Sequence, residues 1–74
     1  EVPLTKKEFE ILRLLLENRG NVFSREEILA HVWKDEVYVL DRTIDVNITR
    51  LRKKIGRYGK NIVTRLGFGY CFDC

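Results

Sequence analysis

The stretch Asp41–Gly56, DRTIDVNITRLRKKIG, decides the fold. Ile44, Ile48, Leu51 and Ile55 fall at i, i+4, i+7 and i+11, the spacing of one helix face. At about 100° per residue they make a narrow apolar stripe. Thr43, Val46, Asn47, Arg50, Lys53 and Lys54 lie beside that stripe or opposite it. One face requires a protein core. The remainder offers guanidinium, ammonium, amide and hydroxyl groups beside one short apolar side chain. That set of groups suits the base edges of a DNA major groove.

Upstream, Asp41 is the expected N-cap of this helix, and residues 34–40, KDEVYVL, carry no helical period and predict a loop. Before the loop, Ser24-Arg25-Glu26-Glu27 is a capping box that opens a second helix. Ile28, Leu29, Val32 and Trp33 supply its inner face, and it is expected to end near Trp33 or Lys34. Asn21 to Phe23 is a short extended link. A second capping box, Thr5-Lys6-Lys7-Glu8, starts the first helix, with Pro3 in an extended lead-in. Its apolar stripe reads as Phe9, Leu12 and Leu16, widened by Ile11 and Leu15, with a stop near Asn18 and Gly20.

Downstream, Gly56 or Gly59 ends the third helix near Ile55. Asn61 to Arg65 holds good strand formers, Leu66 to Gly69 is a glycine-bearing turn, and Tyr70 to Phe72 returns. Tyr70 and Phe72 share a face by the period of two. The expected fold is mainly α with a small β element: three helices and a C-terminal hairpin, a winged helix-turn-helix spanning residues 1–74 as one domain.

A chain of 74 residues is one small domain, and its 45% apolar and 34% charged residues read as folded rather than disordered. No apolar run nears the roughly 20 residues of a membrane span, and no signal peptide is visible, which favours a cytoplasmic setting. Net charge is only +3, but residues 42–65 carry eight Lys/Arg against Asp45 alone. Such a split points to a polyanion on one side; a merely solvated basic face is the alternative. Cys71 and Cys74 form a C-x-x-C with no second pair, and His31 is the lone histidine. A four-ligand zinc site is not supplied, and a thioredoxin-like motif would precede a helix, so the expectation is two reduced thiols, no metal and no cofactor. With no glycine-rich phosphate loop and no G-x-S-x-G, an enzyme is not expected.

The segments LTKKEFEILRLLLENRG, VFSREEILAHVW, VYVLDRTIDVNITRLRKKI and IVTRLGFGYCF resemble, in order and spacing, the C-terminal effector domain of OmpR/PhoB-type response regulators. The resemblance implies a bacterial, two-component transcription regulator acting in a phosphorelay. It implies a receiver domain upstream, homodimers on direct-repeat DNA sites, and contact with RNA polymerase through the 34–40 loop, where Lys34, Asp35 and Glu36 are the candidates; a plain connecting loop is the alternative. The family's N-terminal antiparallel sheet is missing or truncated here; Glu1 to Leu4 match the end of its last strand. Without that sheet, part of the first helix's apolar face is expected to be uncovered.

Among the candidate contacts, Asn47 suits adenine, Arg50 guanine and Val46 a thymine methyl. Lys53 and Lys54 reach bases or phosphates. Arg42 and Thr43 stand at a helix start, where the dipole and free N–H groups favour phosphate. Plain solvated helix residues, or capping for the last two, are the alternatives. Trp33 is either core or, by resemblance, a phosphate donor. Asp45 and Arg52 are expected to pair locally. In the wing, Leu66 replaces the arginine that in the family enters the minor groove. Arg65 stands one residue early, on the opposite strand face unless a twist returns it. The competing function is a winged-helix module that docks proteins and binds no DNA.

Overall fold

Helix α1, Lys6–Glu17, begins where Thr5 accepts from the Glu8 amide and the Glu8 carboxylate accepts from the Thr5 amide. The structure, a computed structural model, describes residues 3–34, 36 and 39–74. Helix α2, Arg25–Val32, opens with the same reciprocal bonds between Ser24 and Glu27. Both boxes satisfy amides that a helix start leaves unpaired.

Helix α3 covers Asp41–Lys54. Its N-cap is Leu40, and no side chain caps it, so the expected cap at Asp41 is corrected. Asp41 is instead the first helical residue, where its carboxylate still complements the positive end of the helix dipole. The helix stops at Ile55, and Gly56 follows with φ +61, a conformation that excludes most side chains. A 3-10 turn over Gly56–Asn61, which sequence periodicity did not predict, carries the chain into the wing. A Cβ at Gly59 would come within 2.4 Å of the Arg52 carbonyl oxygen, so glycine lets this turn lie directly on the α3 backbone.

Strands β1, Ile62–Arg65, and β2, Gly69–Phe72, pair antiparallel with Ile62 opposite Phe72 and Arg65 opposite Gly69. The link at Phe23 is more than a connector. It bridges Tyr70 through two backbone hydrogen bonds and adds a short third edge to the sheet.

The core gathers Ile11 and Leu15 from α1, Ile28, Val32 and Trp33 from α2 and its end, Ile44, Ile48 and Leu51 from α3, and Ile62, Tyr70 and Phe72 from the hairpin. The inner face of α1 is thus Glu8, Ile11 and Leu15. The expected stripe divides: Ile11 and Leu15 are fully buried and Leu12 is half-buried, whereas Phe9 is 54% exposed and Leu16 is exposed, in keeping with the expectation that part of this face is uncovered. No helix among the described residues is long and apolar enough to cross a membrane.

Cys71 and Cys74 are joined as a disulfide, their Cα atoms 5.9 Å apart. The expectation is two reduced thiols, and the fold brings them within the span of a disulfide. Asp73 between them turns back with φ +59, a conformation aspartate tolerates, and its carboxylate accepts from Asn61 Nδ2 and pairs with Arg19.

Candidate nucleic-acid interface

The apolar stripe Ile44, Ile48 and Leu51 fixes how α3 is turned, because all three are fully buried. The outward side is then Arg42, Val46, Thr49, Arg50 and Lys53, every one exposed. None of its three cations joins an ion pair among the described residues, whereas Lys7, Arg13, Arg19, Arg25 and Lys54 all do. Basic residues at α3's C-terminal turn also suit the negative end of its dipole.

Several expected contacts are relocated. Lys54 lies on the flank facing α1, and its Nζ is 2.7 Å from Glu8 Oε1. That ion pair removes it from the outward face. Burial opposes ionisation of Glu8, but the hydrogen bond and charge of Lys54, with the Thr5 donors, hold its carboxyl below the ordinary 4.5. Asn47 is half-buried, and its Nδ2 donates to the Thr43 carbonyl one turn back. That bond directs the amide along the helix rather than outward. Trp33 is 6% exposed and packs in the core, with Lys7 Nζ over its ring at 5.3 Å. Of its two expected roles, core and phosphate donor, this burial favours core. Thr43 is half-buried at the helix start, beside exposed Arg42. The residue the sequence reading missed is Thr49, exposed on the outward face, with Oγ1 donating to the Asp45 carbonyl. A strict count of 100° steps from Ile44 would have found it.

Asp45 and Arg52 do not pair with each other; both fasten neighbouring elements to α3. Asp45 receives Arg25 from α2 at 3.0 and 3.1 Å, and Tyr70 Oη from β2 donates to it. Burial and the Asp45 carboxylate raise the Tyr70 phenol above its ordinary 10.0, against the opposing pull of Arg25 and Arg52. Arg52 donates to the Ile62 carbonyl at 2.7 and 3.0 Å and to Thr64 Oγ1 at 2.8 Å. These bonds hold the wing at a fixed angle to the outward face.

At the wing tip Leu66 is 87% and Phe68 74% exposed. Arg65 is exposed, and strand alternation puts it with Val63, on the face opposite Ile62 and Thr64, which meet Arg52. Lys34 is exposed, and Glu36 pairs with Lys7 at 2.8 Å. Asp35 lies outside the described residues, as do Glu1 and Val2 of the expected strand end.

A helix-turn-helix formed by α2 and α3, packed on α1 and followed by a hairpin wing, is the architecture of the winged-helix DNA-binding domains of transcription regulators. Residues 1–72 match the family described as "Transcriptional regulatory protein, C terminal". The chain belongs to that family, as an effector domain of the OmpR/PhoB type. It is similar to the sensory transduction protein BceR of Bacillus subtilis, 45% identical over 71 residues, covering 93% of this chain and 31% of that protein. It is also similar to two solved structures. One is the DNA-binding domain of Bacillus subtilis CssR (TM-score 0.86, 38% identity, 96% of this chain and 78% of that one). The other is the response regulator AdeR DNA-binding domain in complex with an intercistronic region (TM-score 0.85, 30% identity, 97% and 76%). The chain spans about a third of the length of the curated relatives it matches.

Proposed function

We propose that this domain binds double-stranded DNA in a sequence-specific manner, with α3 in the major groove and the wing against the adjoining minor groove. The observation that carries the reading is the outward face of α3: Arg42, Arg50 and Lys53 have no ion-pair partner among the described residues, while Lys54 and Arg25 are consumed internally. Unpaired cations around one short apolar side chain suit phosphates at the rim and base edges at the centre. Arg50 is assigned to guanine and Val46 to a thymine methyl. Arg42 and Lys53 flank them on phosphates, and Thr43 donates at the helix start. Thr49 joins the base-facing set. Asn47 reads adenine only by giving up its bond to the Thr43 carbonyl, so it ranks below Arg50. Arg65 supplies the wing's remaining charge.

The larger setting follows from likeness to the longer relatives and belongs to the same proposal. The domain forms the C-terminal part of a cytoplasmic two-component response regulator with a receiver domain upstream, and it binds direct-repeat sites as a pair. Exposed Lys34 is assigned to RNA polymerase. A gel shift against random duplex pools at low and moderate salt tests the core of the reading. Retarded duplex that weakens steeply with salt is expected; no retardation at low salt would favour a protein-docking module instead.

A further inference from the structure

The wing ends in chemistry that DNA binding does not use. Cys71 sits in β2 opposite Val63 and is fully buried, while Cys74 is exposed two residues past the strand. Their Cα atoms are 5.9 Å apart, within the range a disulfide spans without moving the backbone. The return is built by other groups: the Asp73 amide donates to the Asn61 carbonyl, Asn61 Nδ2 donates to Asp73 Oδ1, and Arg19 pairs with Asp73 Oδ2 at 3.2 Å. The turn that brings the two sulfurs together therefore has bonds of its own beside the sulfur–sulfur bond. A pair held ready in this way closes and opens with little rearrangement. Resting on the DNA-binding reading, the chain works in a reducing compartment, where disulfides that do form are as a rule transient or redox-sensing.

We propose that Cys71 and Cys74 are a reversible thiol–disulfide site for low-molecular-weight disulfides. The exposed Cys74 thiolate attacks one sulfur of the small disulfide; that bond breaks, and one small thiolate leaves and takes a proton. The Cys71 thiolate then attacks Cys74 Sγ, and the second small thiolate leaves. Two protein thiols and one small disulfide become one protein disulfide and two small thiols, a transfer of two electrons. Excess small thiol reverses both steps. The pair stands at the end of β2, the strand whose Tyr70 is bonded to Asp45 of α3.

The test uses the full-length protein equilibrated across ratios of glutathione to glutathione disulfide, acid-quenched, unfolded and alkylated. Trypsin cleaves after Arg65, so mass spectrometry follows the peptide that begins at Leu66. The expected result is a switch from two alkyl tags to none as the ratio becomes oxidising, reversed on return, with little singly tagged species. Cys71→Ser should accumulate a glutathione adduct on Cys74, and Cys74→Ser should leave Cys71 without one. Retention of both tags at the most oxidising ratio, survival of the disulfide at the most reducing ratio, or absence of the adduct in Cys71→Ser would each overturn the proposal. Because this readout involves no duplex, failure of DNA binding in the same samples would count against the functional reading and leave the thiol result standing.

Discussion

Lys53 and Lys54 are adjacent, yet one helical step gives them different work. Lys53 projects outward; Lys54 neutralises Glu8, a carboxylate only 1% exposed. A buried carboxylate without its cation is costly, so this pair belongs to stability rather than to recognition. Replacing Glu8 with Gln should lower stability at neutral pH by roughly 1.5–3 kcal/mol, measured by urea unfolding. The pH dependence has a definite sign. Glu8 titrates below its ordinary 4.5 in the fold, so its contribution is full above that value and is lost as pH falls through the depressed one. The variant should therefore lose less stability than the parent on going from neutral pH into that acid range; equal losses would remove Glu8 from the account. Arg65 carries the converse expectation. Arg65→Ala should weaken duplex binding and flatten the slope of log affinity against log salt by about 0.9, the value of one phosphate contact. An unchanged slope would show that Leu66 and Phe68 leave the wing with no ionic role. At this scale the sequence was a partial guide. Arg42, Val46, Arg50 and Lys53 could be placed from helical period alone. The Glu8 partner of Lys54 lies 46 residues away, and Asn47's bond depends on its rotamer, so neither could be read from spacing.

Elements are joined through few groups, and Asp45 is the densest junction, taking Arg25 from α2 and Tyr70 from β2. Asp45→Ala should loosen the wing against α3. Its expected signature is faster amide exchange at Tyr70 and Phe23 with helix content unchanged by circular dichroism; unaltered exchange there would dismiss the junction. Gly69 is the second such point. A Cβ would meet the Phe23 carbonyl oxygen at 1.9 Å, and its φ is +137. Gly69→Ala should destabilise the domain by about 1–3 kcal/mol in urea unfolding, because either the backbone strains or the Phe23 bridge opens. The capping boxes made α1 and α2 legible, since their bonds span only three residues. The Phe23 bridge was not legible, because its pairing partner is set by tertiary packing. Which part of the α1 stripe turns into the core was not legible for a related reason. Phe9, Leu12 and Leu16 have the right period, but the core lies against Ile11 and Leu15, about 60° or more around the helix.

At the scale of the molecule, charge is sorted rather than large. A net charge of +3 would steer little by itself, but eight of the fourteen Lys/Arg fall within residues 42–65. Ion pairing then takes up Lys7, Arg13, Arg19 and Arg25 on the other elements, while Arg42, Arg50 and Lys53 of the outward α3 face join no ion pair among the described residues. That asymmetry was visible in the sequence as a block, and folding sharpened it into a surface. The most direct test of the central claim is selection of duplexes from a randomised pool, followed by sequencing, with the parent chain, Arg50→Ala and Lys60→Ala. The parent should enrich a defined motif. Arg50→Ala should lose preference at one guanine position by about 1–3 kcal/mol while keeping the rest, and Lys60→Ala should keep the whole motif. An identical motif from Arg50→Ala, or no motif from the parent, would contradict base reading by the outward face of α3.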